Sequence, residues 1–144
     1  MSLAEVFQDE AKKKAVIADA EKLVDEEVAG KSGLSGFAVK KGFEAVKGIK
    51  PGFIREVLDK LLPEFAEKID PLWAEGQKAG DPTSFFEKNR SRVADSLLSV
   101  TDGKIDRAKS SIVRSTYSML RGSAKKHVED AVPRLAKLVA KHAI

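Results

Sequence analysis

The sequence predicts an all-α fold, a single helical bundle of about six helices made of two tandem three-helix units related by a pseudo-twofold. Three observations carry that prediction. Apolar residues recur at the spacing of the helical turn almost throughout, and the alternation of a strand is nearly absent. The 144 residues combine 42% hydrophobic and 33% charged side chains with no cysteine, the composition of one ordinary folded domain. The third observation is a fixed-offset self-similarity between the two halves. A chain of this length buries roughly 68–70% of its unfolded surface and needs neither disulfide nor metal to fold. Residues 1–144 are therefore read as one domain.

The first helix carries Val16, Ile17, Ala20, Leu23, Val24 and Val28 on one stripe, with Asp19, Glu21, Lys22, Asp25 and Glu26 on its other faces. Gly30, just past the last periodic residue, marks its end. Residues 30–36, Gly-Lys-Ser-Gly-Leu-Ser-Gly, have the composition of a loop. Val39, Phe43 and Val46 give a short second helix ending near Gly48. After Pro51-Gly52 a third stripe runs from Phe53 to Trp73 through Leu58, Leu62, Phe65 and Ile69. Pro63 lies inside it, yet the apolar phase continues, so a kink is expected rather than a break. Asp81-Pro82, or the capping box Ser84-x-x-Glu87, starts a fourth helix carrying Phe86, Val93, Leu97 and Val100, whose end is weakened by Asp102-Gly103. Ile112, Val113, Tyr117 and Leu120 make a fifth, ending at Gly122. Val128, Ala131, Val132, Leu135, Leu138 and Val139 make a sixth, with Pro133 inside it.

The repeat emerges on sliding the halves over one another. Val39, Lys40, Phe43, Val46, Lys47 and Gly48 match Val113, Arg114, Tyr117, Leu120, Arg121 and Gly122 at an offset of 74. Leu58, Leu62, Pro63, Phe65, Ala66 and Ile69 match Val128, Val132, Pro133, Leu135, Ala136 and Val139 at an offset of 70, and Ile17-Ala18-Asp19 matches Val93-Ala94-Asp95 at 76. The units span roughly residues 12–73 and 86–143. Each has a helix face that it cannot cover alone, so the two are expected to close about a pseudo-twofold into a single core.

Several segments, Lys31-Ser32-Gly33-Leu34-Ser35-Gly36, Lys50-Pro51-Gly52-Phe53, Leu61-Leu62-Pro63-Glu64-Phe65 and Ala124-Lys125-Lys126-His127-Val128-Glu129, have a recognisable wording. In these the chain resembles an uncharacterised family of small helical proteins found mainly in actinobacteria, a domain of unknown function. The resemblance implies a single cytoplasmic helical domain and brings no activity, cofactor or catalytic residue with it.

Chemistry is then tested residue by residue. The absence of cysteine excludes thiol catalysis, a Cys-ligated zinc site and an iron–sulfur cluster. His127 and His142 lie fifteen positions apart on one expected helix, roughly 22 Å along its axis, too far to share an ion. No Glu-x-x-His occurs, so the usual helical di-metal site has no ligands. One half-buried and one terminal histidine is the plain reading. Ser110, Ser111, Ser115, Ser118 and Ser123 cluster near His127, but no Gly-x-Ser-x-Gly elbow accompanies them. Gly30-Lys31-Ser32 only echoes a phosphate loop, and a helix-capping loop explains it. The expectation is no metal, no cofactor and no catalytic residue.

Charge is the one functional signal. Residues 1–103 hold 16 basic and 19 acidic side chains, and residues 104–144 hold 10 and 3. Lys40 and Lys47 answer to Arg114 and Arg121 in the repeat, and with Lys125 and Lys126 they form the candidate anion- or partner-binding set. The ordinary alternative is that such residues solvate outer faces and balance the acidic half. No recognition helix or stacking aromatic supports nucleic acid directly, Tyr117 being read as core. Phe37, Phe43, Phe53, Phe65, Trp73, Phe85 and Phe86 are read as core, although splayed Pro-containing helices would leave an apolar pocket. The opening Met1-Ser2-Leu3-Ala4-Glu5 has no signal-peptide character and no apolar run spans a bilayer, so a cytoplasmic location is expected. The sequence thus points to a non-enzymatic binding or scaffolding module acting on a protein partner or by self-association. Its rival is a nucleic-acid or anionic-surface binder using the basic C-terminal third.

Overall fold

The computed structural model describes residues 3–143; Met1, Ser2 and Ile144, which the sequence reading includes in its domain and leader segment, lie outside them. Among the described residues there is no strand, and six α-helices run α1 Glu10–Ala29, α2 Gly33–Lys47, α3 Phe53–Lys78, α4 Pro82–Lys88, α5 Arg90–Lys104 and α6 Ser111–His142. Two 3-10 turns, Leu3–Gln8 and Ile105–Arg107, precede α1 and α6. The all-α bundle is as the periodicity requires, and no described helix is long and apolar enough to cross a membrane.

Three of the six helices, α1, α4 and α6, start on a side-chain cap. The Asp9 carboxylate accepts from the Ala11 and Lys12 amides (2.9 and 3.2 Å), Asp81 accepts from Ser84 (3.1 Å), and the Ser110 hydroxyl accepts from Val113 (3.3 Å). Pro82 takes the first position of α4, so Asp81, not Ser84, begins it. Gly52, at φ 75°, makes the turn into α3 that a side chain would strain. Leu3 donates its amide to Asp70 (3.0 Å), which pins the N-terminal turn onto α3.

Three boundaries differ from the sequence expectation. The Gly-rich segment 30–36 is a loop only to Ser32, because α2 begins at Gly33. Its glycines serve packing: a Cβ on Gly36 would lie 2.9 Å from the Lys31 carbonyl carbon, and one on Gly42 would lie 2.8 Å from Thr116 Cγ2 of α6. The expected fourth helix is two helices. Asn89 donates both its backbone and its side-chain N–H to the Phe85 carbonyl (each 2.9 Å), ending α4 before α5 restarts. The expected fifth and sixth helices are one, since α6 passes straight through Gly122 and Pro133. Gly122 faces open space and is followed by Ser-Ala-Lys-Lys, with no Pro and no second Gly to stop the helix. In the same way α3 is unbroken through Pro63 and Pro71.

Packing is carried by α3 and α6, which both α1 and α5 contact, while α2 lies on α6. The larger buried cluster joins Ala66, Ile69, Leu72 and Trp73 of α3 to Phe86, Val93, Val132, Ala136 and Val139. Phe86, Val93 and Val132 are fully buried, and Trp73 meets Phe86 edge-on at 5.0 Å between ring centroids. A second, smaller cluster comprises Ile17, Ala20 and Leu58, with Ile54, Leu62 and Leu138 against it. The most buried residues thus form two groups within the one bundle. Of the seven aromatics read as core, Phe37 is 60% exposed on α2.

Candidate functional site

Between the two buried clusters lies a cavity of about 180 Å³. Leu3, Ala66, Ile69 and Val139 face it from one cluster, and Ala20, Leu58, Leu62 and Leu138 from the other. Phe7 of the N-terminal turn and Leu97 of α5 complete its ends. The described lining is hydrocarbon apart from one side chain, His142, and it includes no hydroxyl, thiol or carboxylate. The local reason is plain: α1, α3 and α6 each present an apolar stripe, but small residues at Ala20, Ala66 and Ala131 leave the stripes unfilled where they meet.

His142 connects this interior to charge. Its side chain is only 15% exposed, and its Nε2 lies 2.7 Å from Asp19 Oδ2 on α1, which also takes the Lys141 ammonium at 2.8 Å. Hydrogen bonds from Lys141 and then His142 hold the Asp19 carboxyl below the usual carboxylate range. The sequence reading made His142 a terminal histidine, and nothing local in the sequence announces a partner 123 positions away. His127, on the same helix, is half-buried with neither ring nitrogen hydrogen-bonded. Burial first, and the neighbouring Lys31 second, push its pKa down from the ordinary histidine value.

The candidate basic set divides. Arg121 grips Asp102 with two guanidinium nitrogens (2.8 and 2.9 Å), and Lys125 pairs with Asp95 (3.1 Å), both carboxylates coming from α5. Arg114 donates to the Ala108 carbonyl. Lys47 lies 5.6 Å over the ring of its own Phe43. Among the described residues, Lys40, Lys47 and Lys126 have no ion-pair partner. Tyr117, expected in the core, is at the surface of this cluster, where its hydroxyl bonds Asp102 and lies 2.8 Å from Thr101. Arg121 first, then Tyr117, keeps the Asp102 carboxyl ionised below its usual range.

Three further cations of the basic third are paired. Lys104 pairs with Glu64 (2.6 Å), Arg134 with Glu27 (2.9 Å) and Lys141 with Asp19 (2.8 Å). The charge asymmetry along the chain is thus partly offset within the bundle, carboxylates of α1, α3 and α5 meeting cations of α6 and the end of α5. Two of the serines near His127 donate to helix carbonyls, Ser115 to Ile112 and Ser123 to Leu120 (both 3.3 Å). Lys31, the echo of a phosphate loop, is buried between Glu27 (3.5 Å) and the His127 carbonyl (3.3 Å), where it ties the end of α1 to α6.

A family model described as "Family of unknown function (DUF6918)" matches residues 3–143, the whole described bundle including every wall of the cavity. The chain belongs to that family. No curated protein and no solved structure matches it. Membership agrees with the resemblance read from the motifs, and it assigns no chemistry to the cavity or to the basic residues.

Proposed function

We propose that the chain is a non-enzymatic binding module whose ligand is an apolar molecule held in the cavity between α1, α3 and α6. The carrying observation is the hydrocarbon lining. The cavity is partly open, so its hydrocarbon walls face water, and covering such walls is favourable by about 25 cal/mol per Å². A guest of matching shape would cover them. A lone imidazole held by Asp19 supports binding rather than turnover, since no nucleophile stands beside it in the lining.

The proposal includes the duplication. Three pairs equated by the offset of 70, Leu58 with Val128, Phe65 with Leu135 and Ile69 with Val139, line the one cavity. Gly42 and Thr116, equated by the offset of 74, touch each other across α2 and α6. The likeness does not extend to the path of the chain, because a turn separates α2 from α3 while their counterparts are one unbroken helix, so whole triplets are not related by a twofold. In this reading the cavity lies where the matched stretches of α3 and α6 meet.

The internal pairing of Lys104, Arg121, Lys125, Arg134 and Lys141 leaves less free charge for nucleic acid than the sequence suggests, which supports the apolar reading over its rival. The deciding measurement is titration with octan-1-ol, a neutral apolar probe, followed by calorimetry and by the fluorescence of Trp73, the only tryptophan. Saturable binding with a negative heat-capacity change is expected. An unsaturable response, with salt-sensitive retention on DNA instead, would overturn the proposal.

A further inference from the structure

The cavity shares two of its lining residues with a charged groove. Leu23 and Leu138, which line the cavity, also line a surface groove of about 330 Å³ whose other walls are Asp19, Lys22, Glu26, Arg134, Lys137 and Lys141. Four cations there face two carboxylates, and both carboxylates are already engaged. Asp19 holds Lys141 and His142 at 2.8 and 2.7 Å, and Glu26 holds Arg134 at 3.5 Å and Lys22 at 3.9 Å. Lys137 has no ion-pair partner among the described residues. An apolar interior and a net positive groove therefore share one wall, with the Asp19–His142 contact spanning the two.

We propose that cavity and groove form one site for a single-chain anionic amphiphile, its hydrocarbon in the cavity and its headgroup against Lys137 and Lys141 beyond Leu23 and Leu138. The inference rests on the apolar-ligand reading above and adds the sign and position of the headgroup. The cavity sets the length of the chain. An apolar cavity of about 150 Å³ accepts benzene. One of 180 Å³ therefore suits about seven carbons by the same comparison, the hydrocarbon tail of octanoate. An anionic headgroup gains from the excess of groove cations, an uncharged one gains nothing, and a cationic one is repelled.

The test compares octanoate, octan-1-ol and octylammonium on the full chain at low and moderate salt. The expected order is octanoate first, about tenfold tighter than octylammonium, with the gap shrinking as salt rises. Charge reversal at the exposed positions Lys22→Glu and Lys137→Glu, checked for an unchanged helical spectrum, should remove or invert that order while leaving octan-1-ol binding as it was. Binding of all three with equal affinity, or an order untouched by the reversals, overturns the headgroup assignment and leaves the apolar cavity standing. Failure of all three to bind overturns both.

Discussion

His127 shows how a single side chain can set the pH response of the bundle. Its two ring nitrogens are buried without partners, and Lys31 and Lys126 oppose its protonation while Asp130 alone favours it. The folded pKa therefore lies below the unfolded value of 6.5. Between those two values the unfolded chain binds more protons, so stability rises with pH, is complete above 6.5 and is lost as pH falls toward the folded pKa. His127→Leu removes this linkage and two unsatisfied polar atoms at once. Urea denaturation should find the variant at least as stable as the parent at pH 7, with a smaller loss on going to pH 5. An identical loss in both proteins would show that the imidazole is hydrated in the folded state. Asp19 acts in the same direction at lower pH. Its depressed folded pKa contributes stability that is present above the unfolded value of 3.8 and disappears as pH falls through the lower folded one. Half-burial of His127 was legible from the helical phase. The role of His142 was not, because its partner lies on α1 and only the folded bundle brings them together.

At the scale of the element, glycine decides where the sequence reading held and where it did not. Gly48 and Gly30 do end helices, each sending its N–H back to the residue four positions earlier. Gly122 looks the same in the sequence, yet it lies inside α6 with open space around it. A glycine ends a helix only when the residues after it cannot continue the helix. Gly48 is followed by Ile-Lys-Pro-Gly, whereas Gly122 is followed by residues that favour the helix. Gly122→Ala should accordingly stabilise the protein by roughly 0.5–1 kcal/mol, the helix-interior difference between the two residues. Gly76→Ala should do the reverse, since its Cβ would sit 2.7 Å from the Pro82 Cα and force α3 and α4 apart. Thermal melts of both variants check the pair; a stabilised Gly76→Ala would mean that α4 moves freely on α3. The prolines teach the complementary lesson. Pro63 and Pro133 are tolerated because the apolar stripes on either side of them share one phase, as the sequence showed, and burying those stripes outweighs a missing donor. Asn89 gave no warning, because its break depends on side-chain competition for the Phe85 carbonyl.

For the whole molecule, composition and periodicity fixed the class of fold and identified most of the residues that turn inward, but not how tightly they meet. That depends on residue volumes in three helices at once, which no single stripe reveals: Ala20, Ala66 and Ala131 are as apolar as leucine in a pattern and much smaller in the core. Likewise the basic C-terminal third is plain in the sequence, whereas the pairing of half its cations with carboxylates of α1, α3 and α5 appears only once the helices are placed. The unfilled space is the feature that most sharply separates a ligand-binding bundle from a merely imperfect one. Ala20→Leu adds ~80 Å³ of hydrocarbon at the cavity wall, which at about 24 cal/mol per Å³ corresponds to a gain of about 2 kcal/mol and a rise in melting temperature of roughly 4–8 °C. The same substitution should abolish saturable uptake of octan-1-ol, because the guest and the new side chain compete for one volume. Stability and binding are then expected to move in opposite directions in a single variant, a signature of space kept open for use. A variant that melts higher and still binds would place the guest elsewhere, and one that melts lower would show that α1, α3 and α6 already close around Ala20 without room to spare.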